Sequence, residues 1–170
     1  MRNFFVVIAI LCTVGISATY AQRMQESNSL LNLGPGFFRG IGFNSSFDYG
    51  LIDHWGPGLF TVGGFVGFSQ FTRGTGLYAV NNSRFAISPR ATYRLPVDDS
   101  IEVYGTLMLG IMISSESYTD VWGNKNRDTN PGEFFGTTAG IRYSFTSSIS
   151  AFSEIGISIT YIAVGLSISL

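Results

Sequence analysis

The sequence predicts an all-β protein: an eight-stranded antiparallel transmembrane up-and-down β-barrel with a polar, side-chain-filled lumen. Three observations carry that expectation. First, Tyr161–Leu170 (YIAVGLSISL) alternates strictly. Ile162, Val164, Leu166, Ile168 and Leu170 share one strand face, and Ala163, Gly165, Ser167 and Ser169 share the other. The second face is too small and too uncharged for a water-exposed surface, whereas a lipid-facing exterior and a crowded lumen suit both faces. Second, charged residues make up 12% of the chain, about half the usual share in soluble domains. Lys125 is the one lysine, so the charges that normally cover a soluble sheet and guard its edges are missing. Third, no segment after Ala21 reaches the roughly 18 consecutive apolar residues of a membrane helix. A closed barrel is the other structure that pairs every backbone group inside lipid.

The chain opens with Arg2, an apolar run from Phe4 to Ile16, and small or polar residues up to Ala21. This is the layout of a signal peptide at 1–21, leaving 22–170 as one barrel domain. Cys12 follows bulky Leu11 rather than the small residue a lipoprotein site wants, and it falls in the removed segment. The remaining chain then has neither a disulfide framework nor a thiol nucleophile. Ten Lys and Arg against 11 Asp and Glu, with no basic run, give no footprint for nucleic acid.

Eight strands follow in order. The first is Ser29–Gly34, with Gly34-Pro35-Gly36 read as a turn or bend. The second, Arg39–Tyr49, sets Ile41, Phe43 and Phe47 against Gly40, Gly42, Asn44, Ser46 and Asp48, and Leu51–Gly58 reads as a turn region. The third, Leu59–Phe71, points Phe60, Val62, Val66 and Phe68 outward and Thr61, Gly63, Gly67 and Ser69 inward. Thr72–Asn82 reads as a loop. The fourth, Arg84–Leu95, places Arg84, Ser88, Arg90, Thr92 and Arg94 inside, with Pro89 outside and suggesting a bulge.

After the turn Pro96–Asp99, the fifth strand is Ser100–Ile113, with Glu102, Tyr104, Thr106 and Gly110 inside. Ser114–Gly132 reads as the longest and most polar loop. The sixth, Glu133–Phe145, turns Gly136, Gly140, Arg142 and Ser144 inward. The seventh, Ile149–Ser158, turns Ser150, Phe152, Glu154 and Gly156 inward, and Tyr161–Leu170 closes the barrel. An even strand count puts both termini in the periplasm with the short turns, and the long loops outside. A soluble lipocalin-like barrel is the alternative, and it would invert the faces.

Several segments resemble the small outer-membrane β-barrel proteins of Bacteroidota-type bacteria, which are similar to OmpA/OmpX-type eight-stranded barrels. They are FTVGGFVGFS (Phe60–Ser69), SPRATYRL (Ser88–Leu95), VYGTLMLG (Val103–Gly110), GIRYSF (Gly140–Phe145), AFSEIGIS (Ala151–Ser158) and VGLSISL (Val164–Leu170). The resemblance implies an outer-membrane location, lipid and lipopolysaccharide as surroundings, and assembly through a C-terminal strand read by the barrel-assembly machinery. It marks Arg142 and Glu154 as characteristic positions and supplies no activity, since most members have none assigned. Such chains commonly end in an aromatic residue, and this one ends in Leu170.

The inward charges Asp48, Arg84, Arg90, Arg94, Glu102, Arg142 and Glu154 form the one constellation of interest. An eight-stranded barrel is just wide enough for side chains to fill, so these groups are expected to pair as a plug. An arginine-lined ion or solute path is the alternative. A turn centred on Ser148 would set Arg142 directly opposite Glu154. Catalysis is poorly served. The one histidine, His54, stands beside Trp55 in a turn, where an interfacial role fits better than that of a base. Asp120 and Asp128 match no calcium-loop spacing, and no phosphate loop, zinc set or nucleophile elbow is present. Tyr118 and Trp122 could anchor an external contact. The sequence thus suggests a non-catalytic structural or surface-interaction protein without cofactor or metal, monomeric by preference. A narrow channel is the runner-up and a lipid-modifying enzyme a distant third.

Overall fold

Period-two alternation along the apolar belt decides the architecture. In the computed structural model, residues 29–38, 40–74, 79–119 and 124–170 are described, apart from the side chains of 53–55, 119 and 125. The expected signal peptide, Cys12, Arg39, Asp120 and Trp122 lie outside them, as do the His54 and Lys125 side chains. Eight strands run in order: β1 Ser29–Phe37, β2 Ile41–Trp55, β3 Gly58–Arg73, β4 Val80–Pro96, β5 Ile101–Thr119, β6 Lys125–Ser144, β7 Ile149–Ile157 and β8 Ile162–Ser169. Each pairs antiparallel with its sequence neighbours, and β1 pairs β8 to close the ring.

The faces are inside-out relative to a soluble barrel. Among the described residues, 30 large hydrophobics are exposed and only 10 hydrophobics are buried, while 20 polar or charged residues are buried. Leu109 is 64% exposed and Leu166 53%, whereas Ser167 next to it is fully covered. The lipocalin-like alternative, which needs the reverse, is thereby excluded.

Several expected loops are strand. β1 continues through Pro35 and Gly36, which pair with Phe43 and Gly42. Proline is tolerated because it points outward at the seam, where no β8 partner pairs with Pro35. The expected turn Leu51–Gly58 is mostly β2. Register shifts between Gly50 and Ile52 and between Ile52 and Trp55 insert extra residues, so Leu51 and Ile52 both face out. A two-residue turn, Gly56-Pro57, then closes the hairpin, with Gly56 at φ 69°. Pro89 produces no bulge: it pairs with Gly64 in unbroken register.

Of the expected loops Thr72–Asn82 and Ser114–Gly132, residues 72–73, 80–82, 114–119 and 125–132 are strand. Both hold to a regular ladder, Arg73 opposite Val80 and Thr119 opposite Lys125. The strand lengths are therefore unequal. β7 and β8 have 9 and 8 residues, but β5 and β6 have 19 and 20. β7 pairs only with Thr137–Ser144 of β6. The stretch Lys125–Gly136 is bonded to β5 on one side and, among the described residues, has no strand on the other.

Candidate functional site

Six of the seven expected lumen charges meet in one network, three arginines against three carboxylates. Glu102, 1% exposed, lies at its centre. Its Oε1 and Oε2 accept from Arg94 Nε at 2.9 Å each, and Oε2 accepts from Arg94 Nη2 at 2.7 Å. Arg142 Nη1 donates to Oε1 of the same carboxylate. Arg142 also donates from Nε to Ser167 Oγ at 3.0 Å and from Nη2 to Asn32 Oδ1 at 3.2 Å. Arg90 forms the second half. Its Nε lies 3.0 Å from Asp48 Oδ1 and its Nη2 3.5 Å from Glu154 Oε1. The Arg90–Asp48 contact is ionic without hydrogen-bond alignment, since Arg90 Nε donates to Thr92 Oγ1 at 3.3 Å. Asp48 Oδ2 accepts from Asn32 Nδ2 at 3.0 Å, which ties the two halves together. Buried charge is tolerable only with such mutual pairing.

Strand register explains who meets whom. Glu102 and Arg142 are direct cross-strand partners, and Arg94 reaches Glu102 diagonally, since Pro96 opposes Glu102. The other contacts leap a strand. Asp48 and Arg90 are both opposite Gly63 of β3. Tyr104 and Glu154 are both opposite Gly140 of β6, and Tyr104 Oη donates to Glu154 Oε1 at 3.1 Å. Glycine at the middle strand leaves the space through which its neighbours touch. A Cβ at Gly140 would lie 2.4 Å from Tyr104 Cζ.

Three expectations need correction. Arg142 does not oppose Glu154: Arg142 pairs with Phe152, and Glu154 with Gly140. The turn at 145–148 centres the hairpin on Ser147, because Thr146 Oγ1 accepts from Ile149 N at 3.0 Å and Ser148 N at 3.3 Å. One residue of displacement moves the partner by two. Arg84 is on the inner face but stands apart from the network. Its guanidinium lies 5.0 Å from the Phe71 ring centre and 5.4 Å from that of Phe38. Among the described residues it has no ion pair. Finally, the lumen is not polar throughout. Phe65, Ala86, Met108, Phe134 and Ile159 form an apolar plug between the network and the end away from the termini. Ile159 comes from the β7–β8 turn, which folds inward. The hydroxyl of its neighbour Thr160 accepts from Asn44 Nδ2 at 2.7 Å.

The two ends of the barrel differ. At the termini end, turns 97–100 and 145–148 surround a cavity of about 640 Å³ with Arg94 and Arg142 among its lining residues. At the opposite end the β5–β6 hairpin rises past the rest of the barrel. Asp128, expected in a loop, lies in β6 opposite Glu116. Ser115 Oγ bonds Thr129 Oγ1 at 2.9 Å and accepts from Arg127 Nη2 at 3.3 Å. Tyr118 is 40% exposed there. Among the described residues no group of three or more His, Cys, Asp or Glu could hold a metal ion.

No protein-family model and no curated protein matches the chain. Solved structures do. The crystal structure of Ail, the attachment invasion locus protein of Yersinia pestis, in complex with the heparin analogue sucrose octasulfate has a TM-score of 0.48 at 11% identity, covering 82% of this chain and 90% of that one. Ail in a phospholipid bilayer nanodisc gives 0.49 at 14% identity, covering 85% and 100%. The N-terminal β-barrel domain of Pseudomonas aeruginosa OprF gives 0.44 at 16% identity, covering 83% and 95%. These are similarities of overall shape, and the fold assignment rests on the strand order and register above.

Proposed function

We propose that the protein is a non-catalytic integral outer-membrane barrel that makes contacts at the cell surface through its projecting β5–β6 hairpin. The observation that carries this reading is the one-sided pairing of Lys125–Gly136. At about 3.3 Å per residue this edge runs roughly 40 Å. An exposed strand edge offers unpaired N–H and C=O groups to an extended partner segment. Pro131 and the charges of Arg127, Asp128 and Glu133 lie along it, a composition that discourages indiscriminate pairing between copies. The belt of outward Leu, Ile and Phe supports a lipid surround, with the termini and short turns on the periplasmic side and lipopolysaccharide around the far rim. Assembly through β8 by the barrel-assembly machinery belongs to the same reading.

The lumen supports a plug over a channel. The charges of the network balance three to three, with Arg84 apart from it against the Phe38 and Phe71 rings, and an apolar cluster lies in series with them. Ser114 and Asn130 are register partners, so an Asn-Gly turn can replace residues 115–129 in register, at the cost of the β5 partners of Val80–Ser83 at the tip of β4. The shortened protein should fold and insert, and cells bearing it should lose the adherence that the full-length protein confers on a non-adherent host strain. Undiminished adherence by the shortened form would refute the role of the hairpin. Steady single-channel current through the full-length protein would favour the channel.

A further inference from the structure

We propose that the cavity at the termini end is a binding site for a small solute carrying an oxyanion, a phosphate or carboxylate group, held by Arg94. This goes beyond the surface role and does not depend on it, since the site lies at the other end of the barrel. The cavity, about 640 Å³, falls within the range of small-ligand sites. Arg94 and Arg142 line it and are only 6% and 2% exposed. Between them they hold one carboxylate, Glu102, which leaves one guanidinium charge on this side of the network, set against the Asp99 carboxylate of the lining. The compensating pair Asp48 and Glu154 sits with Arg90.

The donors also remain incomplete at this end. Arg142 uses all three nitrogens, on Glu102, Ser167 and Asn32. Arg94 uses Nε and Nη2 on Glu102, and no described residue accepts from its Nη1. A buried guanidinium with a spare edge facing a cavity is the geometry that recognises a planar or tetrahedral oxyanion. Ser148 and Ser169 line the wall and can donate to the remaining oxygens, and so can one hydroxyl of the Ser144–Ser150 pair, whose Oγ atoms are bonded to each other at 3.0 Å. Asp99 also lines the cavity and opposes an anion by its charge. It limits affinity and favours entry of singly charged over multiply charged groups.

Phosphate is the probe, titrated at constant ionic strength into the full-length protein in phosphatidylcholine nanodiscs, with backbone amide resonances as readout. Saturable shifts at Ser144, Ser150 and Ser169 are expected, without change at the β5–β6 hairpin. Arg94→Gln should weaken binding about ten- to a hundredfold, the value of a lost charge-assisted hydrogen bond. Asp99→Asn should tighten it. Should Arg94→Gln fail to fold, Ser100→Trp decides, because it fills the cavity wall and leaves the Arg94–Glu102 pair intact; retained affinity in it overturns the proposal. Non-saturable shifts, or equal affinity in Arg94→Gln, also overturn it. Nanodiscs with phosphatidylglycerol and no added phosphate distinguish the source. The same shifts there would assign the site to a lipid headgroup and overturn a free solute.

Discussion

Glu102→Gln is the sharpest perturbation of the lumen. The carboxylate receives three hydrogen bonds from Arg94 and one from Arg142, with both oxygens sealed from water. Four charge-assisted bonds at face value would amount to ~6–12 kcal/mol. The net loss is smaller. The glutamine keeps one carbonyl acceptor, and Arg94, at the cavity, regains some hydration. The measured cost of removing one partner from a buried pair, about 3–5 kcal/mol, is therefore the expected loss. Arg142→Met should cost less, because Glu102 keeps its fork from Arg94. In a double-mutant cycle, Arg142 and Glu102 should couple by about 1–3 kcal/mol. Arg142 and Glu154 should couple less, since only Tyr104 stands between them: its ring lies 4.8 Å from the Arg142 guanidinium and its hydroxyl reaches Glu154. Urea titrations in phospholipid vesicles, followed by heat-modifiable gel mobility, measure all three quantities. A loss below about 1 kcal/mol for Glu102→Gln, outside the range for broken buried pairs, would refute the claim that this network holds the barrel. Stronger coupling of Arg142 to Glu154 than to Glu102 would refute the register.

Gly140→Ala should destabilise the barrel by about 1–3 kcal/mol through its clash with Tyr104, and Tyr104→Leu should recover part of that loss; the same titration in both backgrounds reports it. Leu109→Arg and Leu166→Arg should each cost about 2–4 kcal/mol in lipid, the midplane figure for barrels, and near-neutral values would reverse the outward faces. A membrane-impermeant thiol label on intact cells should reach Asn124→Cys and not Asp98→Cys, and the opposite pattern would invert the proposed orientation.

Most of the fold was legible because it is written in period two. The alternation of Ile162, Val164, Leu166 and Ile168 with Ala163 and Ser167 needs no tertiary information to assign its faces. The strand ends were less legible. Ser114–Gly132 is polar because β5 and β6 extend past the apolar belt into water, where both faces of a strand are polar and alternation vanishes. Thr129 and Asn130 look like loop residues and are ladder residues. Leu51–Gly58 misled differently. Two register shifts break the alternation, and only Gly56-Pro57 is turn.

The site was legible as a set and not as pairs. Face assignment alone gathers Asp48, Arg90, Arg94, Glu102, Arg142 and Glu154 into one lumen. Their partners depend on registers, and a one-residue error in a turn centre displaces a partner by two. A usable signal was nonetheless present in the inward glycines. Gly63 and Gly140 interrupt rows of inward polar side chains, and each is flanked on both neighbouring strands by groups that bond across it: Asp48 to Arg90, and Tyr104 to Glu154. In a bore this narrow, a missing side chain is filled by its neighbours. The apolar plug follows the same rule. Phe65 lies between Gly63 and Gly67, and a Cβ at Gly67 would lie 2.7 Å from the Phe65 ring and 2.6 Å from Ile159. Large inward residues thus lie over glycines, and reading those glycines as space for specific neighbours locates both layers of the seal.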